Sequence, residues 1–168
     1  MAVTVRAAAE TDLDALVALN QVVQGLHAAL YPEDFAPDAD RDAVKARFAT
    51  LLHEVGHALI VAEPDAVVAG WDGGVVGYAW TELQVRSPSP FYNRRDRVYV
   101  HHLAVVPQAR RHGVAAALFR HIEQQAAAQG VGDVYLESWA ANADAHAFFA
   151  AQGFTHLKYM FRKRLVGG

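Results

Sequence analysis

The sequence predicts an α/β fold, a central β-sheet with helices on both faces. Three observations carry this. Segments with strand-like alternation trade places with segments of helical period, in the order β-α-α-β-β-β-α-β-α-β. Glycines stand where the pattern changes, at Gly56, Gly113, Gly130 and Gly153. The 168 residues are 53% hydrophobic and 20% charged, which suits a single domain (1–168) with a sizeable core.

Val3–Arg6 alternates and reads as a short first strand. Leu13, Leu16, Val17, Leu19, Val22, Val23, Leu26 and Leu30 have helical spacing, with Thr11 as the expected cap. Residues 31–37 (YPEDFAP) break that helix. Asp38 or Asp40 can cap a second helix through Ala43, Phe48, Leu51, Leu52 and Val55. Residues 58–63 (ALIVAE) fit a strand or a continued helix. Ala66–Trp71 and Val75–Val85, joined by Asp72-Gly73-Gly74, predict a β-hairpin. Arg86–Arg97 is a polar, proline-containing loop. Val98–Val106 is a strand that Pro107 ends, because proline has no N–H for a ladder. A basic turn, Gln108–Gly113, leads into an alanine-rich helix over Val114–Ala128, with Leu118 and Ile122 one turn apart. Val131–Ser138 alternates as a strand, Asn142–Gln152 is a short helix that Gly153 stops, and Phe154–Leu165 is a final strand with a basic end.

Composition excludes several function classes. A net charge of −3 argues against a general nucleic-acid binder. The absence of cysteine removes disulfides, thiolate-ligated zinc and a thiol nucleophile. The N-terminus lacks a basic segment followed by an apolar core, and no run approaches the roughly 18 apolar residues of a membrane span. The expectation is a cytoplasmic protein with neither nucleic acid nor membrane as partner.

The stretch Val98–Phe119 carries the chemistry. Strand, tight basic turn and helix N-terminus together suit an anion, because the first helical turn has free N–H donors and the positive end of the dipole. Gly113 lets a phosphate approach the backbone, and Arg110 and Arg111 add charge. The other phosphate motifs, G-x-x-x-x-G-K-[ST] and G-x-G-x-x-G, are absent.

Leu103-x-Val105-x-Pro107-x-x-Arg110-x-x-Gly113-x-Ala115 resembles the acyl-CoA signature of the GNAT-type N-acetyltransferase superfamily. Asn142-x-x-Ala145-x-x-Phe148-Phe149-x-x-x-Gly153-Phe154 resembles that family's second segment, at the expected distance downstream. The resemblance spans nearly the whole chain and is strongest over residues 98–154. It implies a mixed, mostly antiparallel central sheet flanked by helices, and acetyl-CoA as co-substrate with no metal. The pyrophosphate of coenzyme A would meet the backbone N–H groups of Arg110, Arg111, His112, Gly113, Val114 and Ala115. The pantetheine arm would pair like an added strand with Leu103, Ala104 and Val105, if the neighbouring strands splay there. Asn142 can cap its helix, and the resemblance adds a contact to the cofactor. Phe149 stands where the family usually has the tyrosine that protonates the thiolate. That role is vacant or passes to Tyr135, Tyr159, Ser138 or water, and a non-catalytic acyl-CoA binder is the alternative this opens. Family members are often homodimers.

Acetyl transfer to a primary amine, small molecule or peptide, needs a group that takes the amine's proton. With no cysteine, transfer is direct. His101 and His102 sit just before the pantetheine segment, where some family members, including those acetylating arylalkylamines, also carry histidines. Histidine titrates near neutral pH. Alternation sends the two to opposite faces, with His101 beside Tyr99 and Leu103 unless a bulge shifts the register. Glu82 on the preceding strand is a further base candidate through water.

The resemblance implies that the acceptor side is built from His27–Phe35 and Arg86–Arg97. Tyr31, Phe35, Phe91 and Tyr92 can wall an apolar slot, and Trp80 and Glu82 can face it. Glu33 and Asp34 suit a cationic amine, whereas Arg94, Arg95 and Arg97 suit an acidic acceptor. A rival motif is His53-Glu54-Val55-Gly56-His57, which matches the H-E-x-x-H zinc-peptidase pattern. On a helix His53 and His57 would share a metal with Glu54 as base, but no third ligand follows at a familiar spacing.

Overall fold

The computed structural model describes residues 1–72 and 74–165, so the expected Asp72-Gly73-Gly74 turn lies partly outside the described residues. Two compact units are present, Met1–Glu137 and a second one from Ser138 onward.

The first unit holds β1 (Val3–Ala7), α1 (Leu13–Leu30), α2 (Arg41–Leu51), β2 (His57–Pro64), β3 (Gly77–Gln84), β4 (Arg97–Val105), α3 (Val114–Ala128) and β5 (Val134–Leu136). The strands form one five-stranded sheet in the order β1-β2-β3-β4-β5. β1 to β4 are antiparallel and β5 runs parallel to β4, so the sheet is mixed and mostly antiparallel. α1 and α2 cover one face. Asn20 of α1 donates to the Tyr78 hydroxyl at 3.3 Å, and the Phe48 ring of α2 meets the Tyr78 ring edge-on at 5.6 Å. α3 covers the other face with Val114, Leu118 and Ile122, an i, i+4, i+8 stripe buried to within 2%. Gly77 lets α3 come close, since a Cβ there would lie 3.0 Å from both the Ala104 carbonyl oxygen and a Val114 methyl. The first turn of α3 is thereby pressed against β3 and β4.

The ambiguous residues 58–63 are strand. Leu59, Ile60, Val61 and Ala62 are all at most 3% exposed, because β2 has a strand on each side and helices above and below. The hairpin therefore joins β2 to β3, and the expected first strand Ala66–Trp71 does not form. Only an isolated bridge, Val68 to Trp71, occurs there, and Val67 is exposed, so the segment has no apolar face to bury. Asp40, not Asp38, caps α2, accepting from the N–H groups of Asp42 and Ala43. Thr11 does not cap α1. A short 3₁₀ turn over Glu10–Asp12 precedes that helix, and the Asp12 carboxylate accepts from the Ala9 N–H and from Arg6. Hydrogen bonding to Arg6 holds Asp12 below the usual carboxylate range.

In the second unit α4 (Ala143–Ala151) starts at Asn142, whose side chain accepts from the Ala145 N–H at 3.3 Å. The Phe149 ring lies 5.9 Å from that of Phe154. No described residue from 138 on is buried. The expected final strand over Phe154–Leu165 is not formed, and Val131–Ser138 is strand only over Val134–Leu136. Alternation alone makes no strand: a ladder needs a neighbour that offers N–H and C=O groups in register.

Candidate active site

The site is built on β4. Gly77 to Trp80 of β3 pair with Val105 to His102, whereas Thr81 to Gln84 pair with Val100 to Arg97. The register therefore steps by one and leaves His101 as a bulged residue without a cross-strand partner on β3. The bulge corrects the expectation that His101 and His102 face opposite ways. Both reach the Trp80 ring, His101 stacked at 4.3 Å and His102 edge-on at 5.2 Å.

His101 is held on three sides. Its Nε2 lies 2.8 Å from Glu82 Oε2, Trp80 covers one ring face, and Tyr99 meets it edge-on at 4.8 Å. Glu82 is held below the usual carboxylate range by the Gln84 amide and by His101, and so is ionised at neutral pH. Across the sheet His57, Glu82, Tyr99 and Tyr135 stand in register on one face, a polar row that crosses β2 to β5. Burial and Glu137 raise the Tyr99 phenol, which keeps its proton. This row was only half visible in the sequence, because it needs the pairing register.

His102 sits in different surroundings. Its Nδ1 is 3.1 Å from the Tyr78 hydroxyl and 3.4 Å from the Asn20 amide nitrogen. Asn20 donates to the Tyr78 oxygen, which leaves the Tyr78 proton for Nδ1. This network assigns the neutral tautomer with its proton on Nε2. Burial, with His101 and His27 nearby, lowers His102 from the ordinary 6.5 to about 4. Between those two values the unfolded chain binds a proton that the folded chain does not, so stability is lost as pH falls from 6.5 toward 4. The expected result is an unfolding midpoint that drops over this window, with a shallower drop in His102→Gln. Equal slopes for both proteins in pH-resolved urea melts would disprove it.

Beyond Val100, β4 loses its neighbour on the β5 side. β5 pairs only with Val98, Tyr99 and Val100, so His101 to Val105 have no strand partner there among the described residues. This is the splay that the pantetheine reading required. The open edge spans four residue steps, about 13 Å. His101 stands at one end and the turn into α3 at the other.

That turn is shaped for an anion. Arg111 and Gly113 have φ of 65° and 81°, and Arg110 between Ala109 and Arg111 is extended. The first backbone bond after the turn is Ala117 N–H to Gly113 C=O, so the N–H groups of residues 111–116 meet no backbone acceptor among the described residues. Alternating left-handed residues turn such donors inward, as in an anion-binding nest. Arg110 donates to the Val105 carbonyl at 3.3 Å, which ties the turn to the end of the open edge.

The zinc motif is not assembled. α2 ends at Leu51, residues 53–56 form turns, and Gly56 at φ 85° leaves the helical path. His53 is exposed, whereas His57 opens β2, so the two are not successive on a helix. His57, Glu82 and His101 do bring ligand atoms within 4.8 Å of one another. Among these atoms His57 Nδ1 accepts from the Trp80 indole, and Glu82 Oε2 accepts from His101 and Gln84. The arginines expected to hold an acidic acceptor are also engaged. Arg94 pairs with Asp96, Arg95 with Asp133, and Arg97 donates to Gln84 and covers the Tyr135 ring. The His27 and Phe35 rings lie 4.8 Å apart at a tilt of 38°, and Arg86 covers Tyr92 at 4.6 Å, whereas Phe91 is exposed. No helix among the described residues is long and apolar enough to cross a membrane.

Known proteins match this architecture. The BH1408 protein of Bacillus halodurans superposes with a TM-score of 0.87 at 19% identity, covering 96% of this chain and 99% of that one. The aminoglycoside 6'-N-acetyltransferase AAC(6')-Ih from Acinetobacter baumannii gives 0.72 at 16% identity, covering 99% and 100%. An aminoglycoside acetyltransferase from an uncultured soil metagenome, solved with sisomicin, gives 0.64 at 18% identity, covering 97% and 96%. At these identities the likeness is one of fold. Comparison with curated proteins returned no match. The model of the acetyltransferase (GNAT) family matches residues 23–154, a span that contains β2 to β5, the bulge at His101 and the turn before α3. The chain belongs to the GNAT acetyltransferase family.

Proposed function

We propose that this acetyltransferase moves an acetyl group directly from acetyl-CoA to a primary amine. The observation that carries the reading is the open edge of β4, with an unsatisfied N–H nest at one end and the His101–Glu82 pair at the other. The nest over Arg110–Ala115 binds the pyrophosphate, and Leu103, Ala104 and Val105 offer main-chain groups to the amide-bearing arm. The thioester then lies near the bulge. His101 accepts the amine's proton, and ionised Glu82 stabilises the imidazolium that results. His102 is neutral with its Nδ1 already engaged, which leaves it an Nε2–H to donate and no role as base.

The acceptor is an amine of small-molecule or peptide size, and no nucleic acid or membrane enters the reaction. The aminoglycoside acetyltransferases among the structural neighbours make polycationic amines one arm of the acceptor screen. Phe149 supports a second reading, an acyl-CoA binder without transferase activity, because it has no hydroxyl for the leaving thiolate.

The test is in two parts. Calorimetric titration with acetyl-CoA is expected to show one site per chain, and its absence overturns both readings. Thiol release from acetyl-CoA is then followed across alkylamines, arylalkylamines, polyamines, aminoglycosides and peptide N-termini. The chain has no cysteine of its own to disturb that signal. Binding without thiol release from any acceptor selects the second reading.

A further inference from the structure

Three metal-ligating side chains converge on one face of the sheet from three adjacent strands. His57 of β2 stands directly opposite Glu82 of β3, and Tyr99 of β4 stands opposite Glu82 on its other side. His101, two residues beyond Tyr99, is diagonal to Glu82 on the same face, within the reach of long side chains. A ligand atom of each of the three lies within 4.8 Å of the other two, and His101 Nε2 is 2.8 Å from Glu82 Oε2. All three side chains are half-buried, so an ion can reach them from solvent. A four-coordinate ion with bonds of about 2.0–2.1 Å holds its ligand atoms about 3.3 Å apart, and side-chain shifts of about 1 Å bring these atoms to that spacing.

We propose that His57, Glu82 and His101 bind one divalent transition-metal ion of the zinc class, and that this ion switches acetyl transfer off. The site stands on the geometry, whereas the switch rests on the reading of His101 as base. Two imidazoles and one carboxylate suit a borderline ion such as zinc, while Mg²⁺ and Ca²⁺ ask for oxygen alone. Three protein ligands leave a fourth position for water. Two of the ligands are held from outside: Gln84 donates to Glu82 at 2.8 Å, and the Trp80 ring stacks on His101 at 4.3 Å. The third, His57, accepts from the Trp80 indole at Nδ1, so that nitrogen is free of a proton, the state that ligation requires. An ion on that nitrogen displaces the indole. Glu82 supplies the negative charge. Glu54 stands 3.7 Å from His57 Nε2 but is paired with Arg47, so that pair adds little to it. A ring that gives one nitrogen to a metal keeps its proton on the other. Metal-bound His101 therefore has no lone pair for the amine's proton, and Glu82 no longer supports it. The H-E-x-x-H motif supplies a single ligand of this set, His57, because the other two stand on β3 and β4.

The first test needs no activity. Calorimetric titration of chelator-stripped full-length protein with zinc chloride, without acetyl-CoA, is expected to show one site per chain, and magnesium chloride no binding. His57→Gln keeps an acceptor for the Trp80 indole but is a poor zinc ligand. It is expected to weaken zinc at least about 100-fold, beyond the cost of losing an outer partner of a ligand. Glu82→Gln is expected to do the same, and it decides the matter if far-ultraviolet spectra show that His57→Gln does not fold. Cobalt chloride is expected to give the wild type the strong visible absorption of a four-coordinate ion, which His57→Gln lacks. The second test reads transfer by the mass of the acetylated product, because released CoA itself binds zinc. Zinc is expected to stop transfer by the wild type, a chelator to restore it, and His57→Gln to keep its basal rate and resist zinc. Absence of zinc binding overturns the proposal, as does a site that survives both variants, since the ion then sits elsewhere. Zinc held at this site with transfer intact overturns the switch. A metal-free enzyme that acetylates no amine overturns the transferase reading and the switch with it, while the calorimetric result still decides the site.

Discussion

His101→Ala is expected to lower kcat/KM for acetyl transfer by about 10²–10⁴, the usual contribution of a positioned general base. The motivation is geometric. His101 is the bulged residue of β4, it lies 2.8 Å from Glu82, and it stands where the unpaired edge begins. Acetyl-CoA affinity is expected to stay within a few-fold of wild type, because the nest that binds the pyrophosphate is separate. The decisive readout is the pH profile. In the wild type, the acid limb of log(kcat/KM) reports protonation of the base, and that limb is expected to vanish in His101→Ala. His102 cannot produce a limb near neutrality, since burial keeps it neutral above about 4. Glu82→Gln keeps a hydrogen-bond partner for His101 but removes the charge, so it is expected to lose roughly tenfold. His101→Ala also removes a ring stacked on Trp80, and a thermal melt separates lost packing from lost chemistry. Full activity with an intact acid limb in His101→Ala would sink the assignment.

The sequence carried the site further than it carried the sheet. The turn over Arg110–Gly113, the helix Val114–Ala128 and the histidine pair were all visible, because proline, glycine and helical period punctuate that stretch strongly. Which way His101 and His102 point was not visible. It depends on a one-residue register step against β3, and register is a property of two strands that no single segment encodes. The same reason hid the row from His57 to Tyr135, which exists only once four strands are in place. The rival zinc motif needs His57 on a helix one turn from His53. The left-handed Gly56 ends that helix and hands His57 to β2, beside Glu82 instead of His53. Residues 58–63 were ambiguous because a strand buried on both faces loses its alternation. The segment after Phe154 shows the opposite case. Its alternation is clear, yet no strand is formed over it, because a ladder needs a partner strand that one segment's alternation does not encode.

Gly113→Val is expected to reduce acetyl-CoA affinity at least about 100-fold, and two effects act together. Gly113 has φ of 81°, where a side chain costs about 1–2 kcal/mol and a β-branched one is worst placed. A Cβ at this position meets no protein atom within 4 Å, so the fold itself raises no steric objection. The open space that receives the new side chain lies beside the N–H groups of residues 111–116, where the anion must sit. The two effects separate in one experiment. Strain alone lowers the melting temperature of the free protein, by about 2–4 °C per kcal/mol for a chain of this size. Blocked binding instead removes most of the increment that acetyl-CoA gives. That increment is about 2.7 kcal/mol at a ligand concentration of 100 Kd and falls to about 0.4 kcal/mol once Kd rises to meet the concentration. Gly113→Ala keeps most of the strain with less bulk, so it is expected to fall between the two proteins in affinity. Arg110→Ala should weaken binding mainly at low salt, because an exposed charge is screened where backbone N–H groups at close range are not. If Gly113→Val destabilises the free protein but keeps its full acetyl-CoA increment, the pyrophosphate does not lie on this turn, and the direction of the bound arm along β4 has to be reversed.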